Sequence, residues 1–443
     1  MSVNPIIEKI IWQIQLRLEE PLCVSVGGSV ATDMDVIKDF DGHPFIPGSS
    51  LAGAFRHYLE ECGGDTCLFG EGSGDNSRMS PLFISDVTFD TEGNILEERD
   101  GVCLENKQAK DGGKFDMEIV KAGTSGSLEL ELNIRKNDGN GKGAVWEQQI
   151  SLILSGLHSG EILLGAKKTR GFGKLSLTGI RRRTFSRDNL KEWLDYTPGD
   201  RSGFSSIDPD SLNTPGTEGA AKPELFASAV IPLELTGGIS IRRYSAQTEE
   251  ADYETLTMKT PDGTVNAVIP GSSWAGVIRS RAGEILTGLG VPEVTCLLRE
   301  WFGYVDEVNH TARRSVVTVS ESRIRGGEKL DVVRNRIDRF SGGTVKGHLY
   351  HERAYFRGTL SLSLRVRRSC PDWQAVCGLL ILVIKDIENG YLPAGGQTAV
   401  GRGIFASAGR ENRLFEGEED GYLHALAEFV MERRNSYGMS DTL

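Results

Sequence analysis

FIPGSSLAGAFR, Phe45–Arg56, returns later in the chain as VIPGSSWAGVIR, Val268–Arg279. Ile-Pro-Gly-Ser-Ser, the Ala-Gly pair and the closing Arg all recur in register. A repeated helix start would not carry its neighbours along, but here the neighbours recur too. LFG at Leu68 is echoed by WFG at Trp301, ENK at Glu105 by RNR at Arg334, and TRGFG ending at Gly173 by VGRG ending at Gly403. The echoes keep their order and nearly constant spacing. This reads as a tandem duplication: a first domain over residues 1–196, a linker over 197–225 and a second domain over 226–443. The linker reading rests on TPGDRSGFSSIDPDSLNTPGTEGAAKPEL (Thr197–Leu225), rich in Pro, Gly, Ser and Asp and poor in apolar anchors.

Each copy opens on a strand-like run, KIIWQIQLRL (Lys9–Leu18) and SAVIPLELTG (Ser228–Gly237). The Pro-Gly-Ser-Ser motif then starts a helix, with Ser49 or Ser50 the expected N-cap in the first copy and Ser272 or Ser273 in the second. Later strands are SLELELNI (Ser127–Ile134) and GTLSLSLRV (Gly358–Val366). A helix-compatible stretch, a Gly-rich loop and a last strand complete each copy. Strand, helix, strands, helix, strand is the α+β ferredoxin-like (RRM-like) pattern.

Length and composition bound the class. The chain has 443 residues, 39% hydrophobic and 25% charged, as in a globular protein of two or three domains. No apolar run approaches the roughly 18 residues of a membrane span, so no membrane partner is expected. GLLILVI (Gly378–Ile384) fits a buried strand or helix. Seven scattered cysteines without a Cys-x-x-Cys pair fit a reduced, cytoplasmic compartment. Cys62 and Cys67 have spacing that could begin a zinc site, but no second pair follows at finger-like spacing, and buried thiols are the plainer reading. A net charge of −12 argues against a simple basic nucleic-acid binder. Basic residues nevertheless cluster at KKTRGFGK (Lys167–Lys174), at Arg181–Arg183 and between Arg313 and Arg339.

Two kinds of motif could meet a phosphate. Helix N-termini at Pro-Gly-Ser-Ser offer free N–H groups and a positive dipole end. The loops GAKKTRGFGK and GGQTAVGRG precede a strand rather than a helix, so they are neither dinucleotide-binding nor P-loop motifs. Main-chain donors and flanking cations could still line a nucleic-acid backbone there. A capped helix and a tight turn are the alternatives.

The ordered set IPGSSLAGAFR, LFGE, SPLFISDVTF, CLENKQA and GAKKTRGFGK resembles the RAMP superfamily, as does the second copy's IPGSSWAGVIR, WFGY, ESRIRGGE, VRNRIDRFSGGTVKGHLYHERAYF and GGQTAVGRGIF. More closely it is similar to backbone subunits of type III CRISPR–Cas effector complexes (Csm/Cmr type), and a two-domain chain fits a fused subunit of type III-D. The resemblance implies two ferredoxin-like domains with thumb-like extensions, over Gln108–Lys121 and Arg339–Arg357. It implies a CRISPR guide RNA, a target RNA and other type III effector subunits as partners, with base pairing reading the sequence. Residues expected at the RNA are Ser49, Ser50, Arg56, Lys167, Lys168, Arg170, Ser272, Ser273, Arg279, Arg336, Arg339 and Arg402.

In family members that cut target RNA, the loop before the helix carries an aspartate. Asp33 matches that position, with Asp35 and Asp39 as neighbours that could replace it. In the second copy Asp252 fits best and Glu254 fits one alignment equally well. A carboxylate could act as general base on a 2′-hydroxyl, or hold Mg²⁺ or Mn²⁺ against the charged phosphorane. His43 lies near the first loop but has no counterpart in the second copy. Three readings stay open: a cutting backbone subunit, a non-catalytic RNA-binding scaffold of the same complex, and a stand-alone guide-processing nuclease.

Overall fold

The computed structural model describes residues 4–25, 32–70, 72, 78–105, 108–139, 141–213, 223–243, 253–259, 264–306, 309–411 and 413–436. Two compact units form. One comprises Met1–Lys168 and Phe172–Pro223; the other comprises Glu224–Leu443 together with Thr169–Gly171.

The first unit is built on β1 (Ile6–Leu18), α1 (Gly48–Glu61), β2 (Val87–Phe89), β3 (Ser125–Arg135), α2 (Lys142–His158) and β4 (Leu175–Ser186). Its sheet runs β2-β3-β1-β4, all antiparallel, with Ile14 opposite both Leu128 and Ile180. Alternation decides the faces. Ile14, Leu16 and Leu18 are buried while Gln15 and Arg17 between them are exposed. Leu128, Leu130, Leu132 and Ile134 do the same on β3. On α1 the buried positions Leu51, Phe55, Tyr58 and Leu59 make one helical stripe. Gly156 on α2 lies where any side chain would strike the Tyr58 ring, so the two helices approach closely.

The second unit repeats the plan with β5 (Phe226–Leu235), α3 (Gly271–Gly288), β6 (Val317–Val319), β7 (Thr359–Arg367), α4 (Trp373–Glu388) and β8 (Phe405–Ser407). Its sheet order, β6-β7-β5-β8, is the first unit's order again. Both units are therefore α+β and ferredoxin-like. GLLILVI lies inside α4, where residues Ala375–Ile381 are all buried, so the run lacks a polar face.

The duplication extends to backbone detail. Positive φ recurs at Gly160 and Gly390, Gly165 and Gly395, Lys167 and Gln397, and Gly173 and Gly403. Members of every pair are separated by the same number of residues. Leu164 N–H donates to the Gly173 carbonyl at 3.0 Å, and Ala394 N–H donates to that of Gly403 at 3.0 Å.

Three additions surround these cores. A two-stranded hairpin leaves each sheet between its second and third strands: Leu96–Glu105 with Gln108–Val120, and Glu328–Ile337 with Thr344–Phe356. The segments expected as thumbs are largely the returning strands; the outgoing strands were not anticipated. In the Pro/Gly/Ser-rich segment, Ser205–Ile207 pairs with β4, and Pro209–Asn213 forms a helical turn. The acidic run near Glu416 leads into α5 (Glu419–Ser436), whose Tyr422, Leu426, Phe429 and Val430 join the second core. Arg410 fastens that region, donating to both Glu388 oxygens at 2.7 and 2.8 Å and to Glu419. Among the described residues no helix is long and apolar enough to cross a membrane.

Candidate nucleic-acid interface

In the first unit, the loop ahead of α1 lies along the returning strand of the hairpin. The alternation in FDMEIV (Phe115–Val120) explains why. Met117 and Ile119 point inward and join Cys23 and Phe172 in a small apolar cluster, with Met34, Phe115 and Ala166 packed against it. Asp116 and Glu118 take the opposite face and meet the loop. Asp33 N–H donates to Asp116 Oδ1 at 2.9 Å, and Asp116 N–H donates to Asp33 Oδ2 at 3.1 Å. Two residues on, Glu118 N–H donates to the Met34 carbonyl at 3.0 Å, and Val36 N–H donates to Glu118 Oε2 at 3.2 Å. Lys38 closes the row with an ion pair to Glu118 at 2.8 Å. Asp33 itself is exposed.

Asp35 turns inward, accepting from the Thr32 N–H at 3.0 Å and the Thr32 hydroxyl at 2.6 Å. Asp39 caps a tight turn, accepting from the N–H groups of Asp41 and His43 at 3.0 and 2.8 Å. That turn presents Phe40 fully to solvent. It also gathers Asp39, Asp41 and His43, the one group of three possible metal ligands among the described residues, all exposed. Neither Cys62 nor Cys67 belongs to it.

The serines do not cap their helices. Pro47 and Pro270 are the N-caps, without side-chain hydrogen bonds, and Ser49, Ser50, Ser272 and Ser273 sit in the first turns. Gly48 N–H instead donates to Asp86 Oδ1 at 2.7 Å. A carboxylate thus already uses one of the donors expected for a phosphate in the first copy. Ser49, Ser50 and Ser272 are exposed and Ser273 is half-buried. Arg56 is exposed and leans toward Glu60 at 3.4 Å on its own helix.

Lys167, Lys168 and Arg170 are half-buried, and each has a different setting. Lys167 holds its ammonium over the Phe115 ring, 3.9 Å from the centroid. Lys168 opens a short helical turn, Lys168–Arg170. Arg170 donates to the Phe302 carbonyl at 3.4 Å, within the second unit. Burial, and then the neighbouring Arg279 charge, push the Arg170 pKa down. Arg279 donates to the Gly303 carbonyl at 3.2 Å, and its pKa falls through burial and then Arg299. Arg170 and Arg279 are thus half-buried arginines, each donating to a main-chain carbonyl.

Arg402 is more deeply engaged. It is 5% exposed, stacks on Phe356 at 4.4 Å and faces Glu352, itself 3% exposed, at 3.6 Å. Arg334 adds a second cation 3.7 Å from the same carboxylate. Replacing Arg402 by Ala leaves Glu352 buried beside the half-buried Arg334, its remaining cation among the described residues. The expected cost is about 3 kcal/mol of stability in the second unit, because the desolvated charge remains. Chemical denaturation checks this; an RNA-contact role would leave stability unchanged and lower the salt dependence of RNA binding instead.

Arg182 and Arg183 are likewise engaged within the fold. Arg182 pairs with Glu147 at 2.5 Å, and Arg183 pairs with Glu192 at 2.9 Å and stacks on Phe185. By contrast, Arg336 and Arg339 are exposed at the far end of the second hairpin. The turn between them and the returning strand is set by Asp338, which accepts from Phe340 and Ser341 N–H at 3.0 and 2.7 Å. Phe340 is 98% exposed at that tip.

Asp252 lies outside the described residues. Glu254 sits on a short strand, Tyr253–Thr255, parallel to the returning strand of the second hairpin. Its carboxylate lies 3.5 Å from Arg353 and 3.6 Å from Lys329, and Arg353 also donates to Asp331 at 2.9 Å. Ion pairs hold Glu254, whereas Asp33 meets a second carboxylate residue. The hairpin acids Asp116 and Glu118 were missed from the sequence; the apolar–acidic alternation of FDMEIV was the available signal.

Two ferredoxin-like units, each with a hairpin beside a Gly-rich loop, define a tandem ferredoxin-like protein. The family model of the RAMP superfamily matches residues 15–176 and again 227–406, and the chain belongs to that superfamily. Membership points to a CRISPR-associated RNA-binding subunit. No curated protein matches the chain by sequence.

Proposed function

We propose that the chain is a fused backbone subunit of a type III CRISPR effector complex, which binds guide RNA and cuts guide-paired target RNA with its first copy. The observation that carries this reading is the exposed Asp33 carboxylate at the root of a projecting hairpin, against an ion-paired Glu254 in the second copy. Asp33 takes the proton from a target 2′-hydroxyl, and that oxygen attacks the adjacent phosphorus. The P–O5′ bond breaks, the 5′-oxygen of the next nucleotide leaves and takes a proton from solvent, and a 2′,3′-cyclic phosphate remains on the upstream fragment. Carboxylate oxygens are hard donors suited to Mg²⁺ or Mn²⁺, and the exposed Asp33 carboxylate would be the ligand for such an ion. The mixed oxygen and nitrogen set of Asp39, Asp41 and His43 suits Mn²⁺ better than Mg²⁺. Either ion would supply charge neutralisation at the phosphorane.

A scaffold that binds without cutting is the second reading. It is favoured by the hydrogen bond that Asp33 already accepts from Asp116, which gives the carboxylate a structural task. End-labelled target incubated with Mg²⁺ in the reconstituted complex separates the two: cutting supports the first, an intact target the second.

RNA contact should centre on exposed cations. Replacing Arg336 and Arg339 together by Ala is expected to lower the slope of log affinity against log salt by about 1.4, at roughly 0.7 per phosphate on a single strand. Filter binding across a salt series measures it, and an unchanged slope removes these two residues from the interface.

A further inference from the structure

We infer that Asp116 is a positioning residue for Asp33, fixing the cutting loop to the first hairpin through a reciprocal pair of hydrogen bonds. The inference rests on Asp33 being the cutting carboxylate. Each of the two residues offers its own N–H to the other's carboxylate, at 2.9 and 3.1 Å, which closes a ring between loop and strand. Asp116 therefore sets both the backbone of Asp33 and the direction of its side chain. Glu118 continues the attachment at Met34, Val36 and Lys38, so the loop from Asp33 to Lys38 is tied to the strand at four residues. Beneath it, Met34 packs on the Met117 and Ile119 cluster. A segment tied at this many points reaches the substrate with its carboxylate already aimed, and misplacement by about 1 Å can cost 100-fold in rate. The part that Asp116 plays is acceptance of the Asp33 N–H and presentation of its own N–H. An asparagine keeps both, since its amide oxygen also accepts.

The test uses the assembled complex with guide and labelled target under single turnover, comparing wild type with Asp33→Ala, Asp116→Ala and Asp116→Asn. Amide hydrogen exchange over Asp33–Val36 is followed in the same proteins. The expected result is a cleavage rate about tenfold slower for Asp116→Ala, target affinity within twofold of wild type, and faster exchange across the loop. Asp116→Asn is expected within threefold of wild type in rate and close to it in exchange. Wild-type cutting by Asp116→Ala, with Asp33→Ala inactive, overturns the inference and leaves the reading of Asp33 standing. Equal loss in Asp116→Ala and Asp116→Asn also overturns it, because charge rather than position then matters. Full cutting by Asp33→Ala, or none by wild type, overturns the reading itself and the inference with it.

Discussion

Asp33→Ala should slow target cleavage at least 100-fold in the assembled complex while guide binding stays within twofold. Removing a positioned general base ordinarily costs two to four powers of ten. The side chain is exposed, so the substitution opens no cavity. Among the described residues its carboxylate accepts from the Asp116 N–H, a hydrogen bond worth about 1 kcal/mol, so folding should survive. Single-turnover rates with end-labelled target read the effect. Glu254→Ala is the comparison at the second copy's described candidate, and it should leave the rate unchanged, because Arg353 and Lys329 already hold that carboxylate. Loss of cutting in Glu254→Ala with full activity in Asp33→Ala would transfer the chemistry to the other unit.

The second large effect concerns folding. Gly173→Ala and Gly403→Ala should each cost about 3 kcal/mol or more. Both glycines hold φ in the left-handed region, at 79° and 69°. That alone disfavours a side chain by about 1–2 kcal/mol. In addition, a Cβ at Gly173 would collide with the Leu164 carbonyl oxygen, and one at Gly403 with that of Ala394. Those carbonyls cannot swing aside freely, since the same residues are joined to the glycines by backbone hydrogen bonds. Gly401 separates the two causes: its φ is 81°, yet nothing lies within 4 Å of an added Cβ. Gly401→Ala should cost only about 1 kcal/mol. Denaturant unfolding of the three variants decides it, and equal losses at Gly401 and Gly403 would refute the steric argument.

The duplication was legible because glycines and prolines at backbone-restricted positions cannot drift. Gly165, Gly173, Gly395 and Gly403 each meet a main-chain wall, and Pro47 and Pro270 start their helices in the same way. Strand positions followed from alternation, and the sheet order followed from the element sequence. The ionic roles were harder to read. A sequence shows that Arg402, Arg170 and Arg182 are cations but not that Glu352, the Phe302 carbonyl and Glu147 face them. These partners come from elements far away in the chain. Serine capping failed for a related reason: Asp86, brought in from beside β2, supplies the acceptor that Ser49 and Ser50 were expected to provide. Asp33 was singled out by its resemblance to a family position, whereas Asp116 became visible only when the hairpin placed it opposite.

Photocrosslinking of a single-stranded guide RNA to the intact chain, with the attachment sites mapped by mass spectrometry, tests most directly that this protein holds RNA along its loops and hairpins. The account predicts attachment at the second hairpin's tip, Arg336 to Phe340, and at the first unit's Asp33 loop and Lys167–Lys168. Attachment confined to α5 and the Arg181–Arg183 strand, with those segments unmodified, would contradict it.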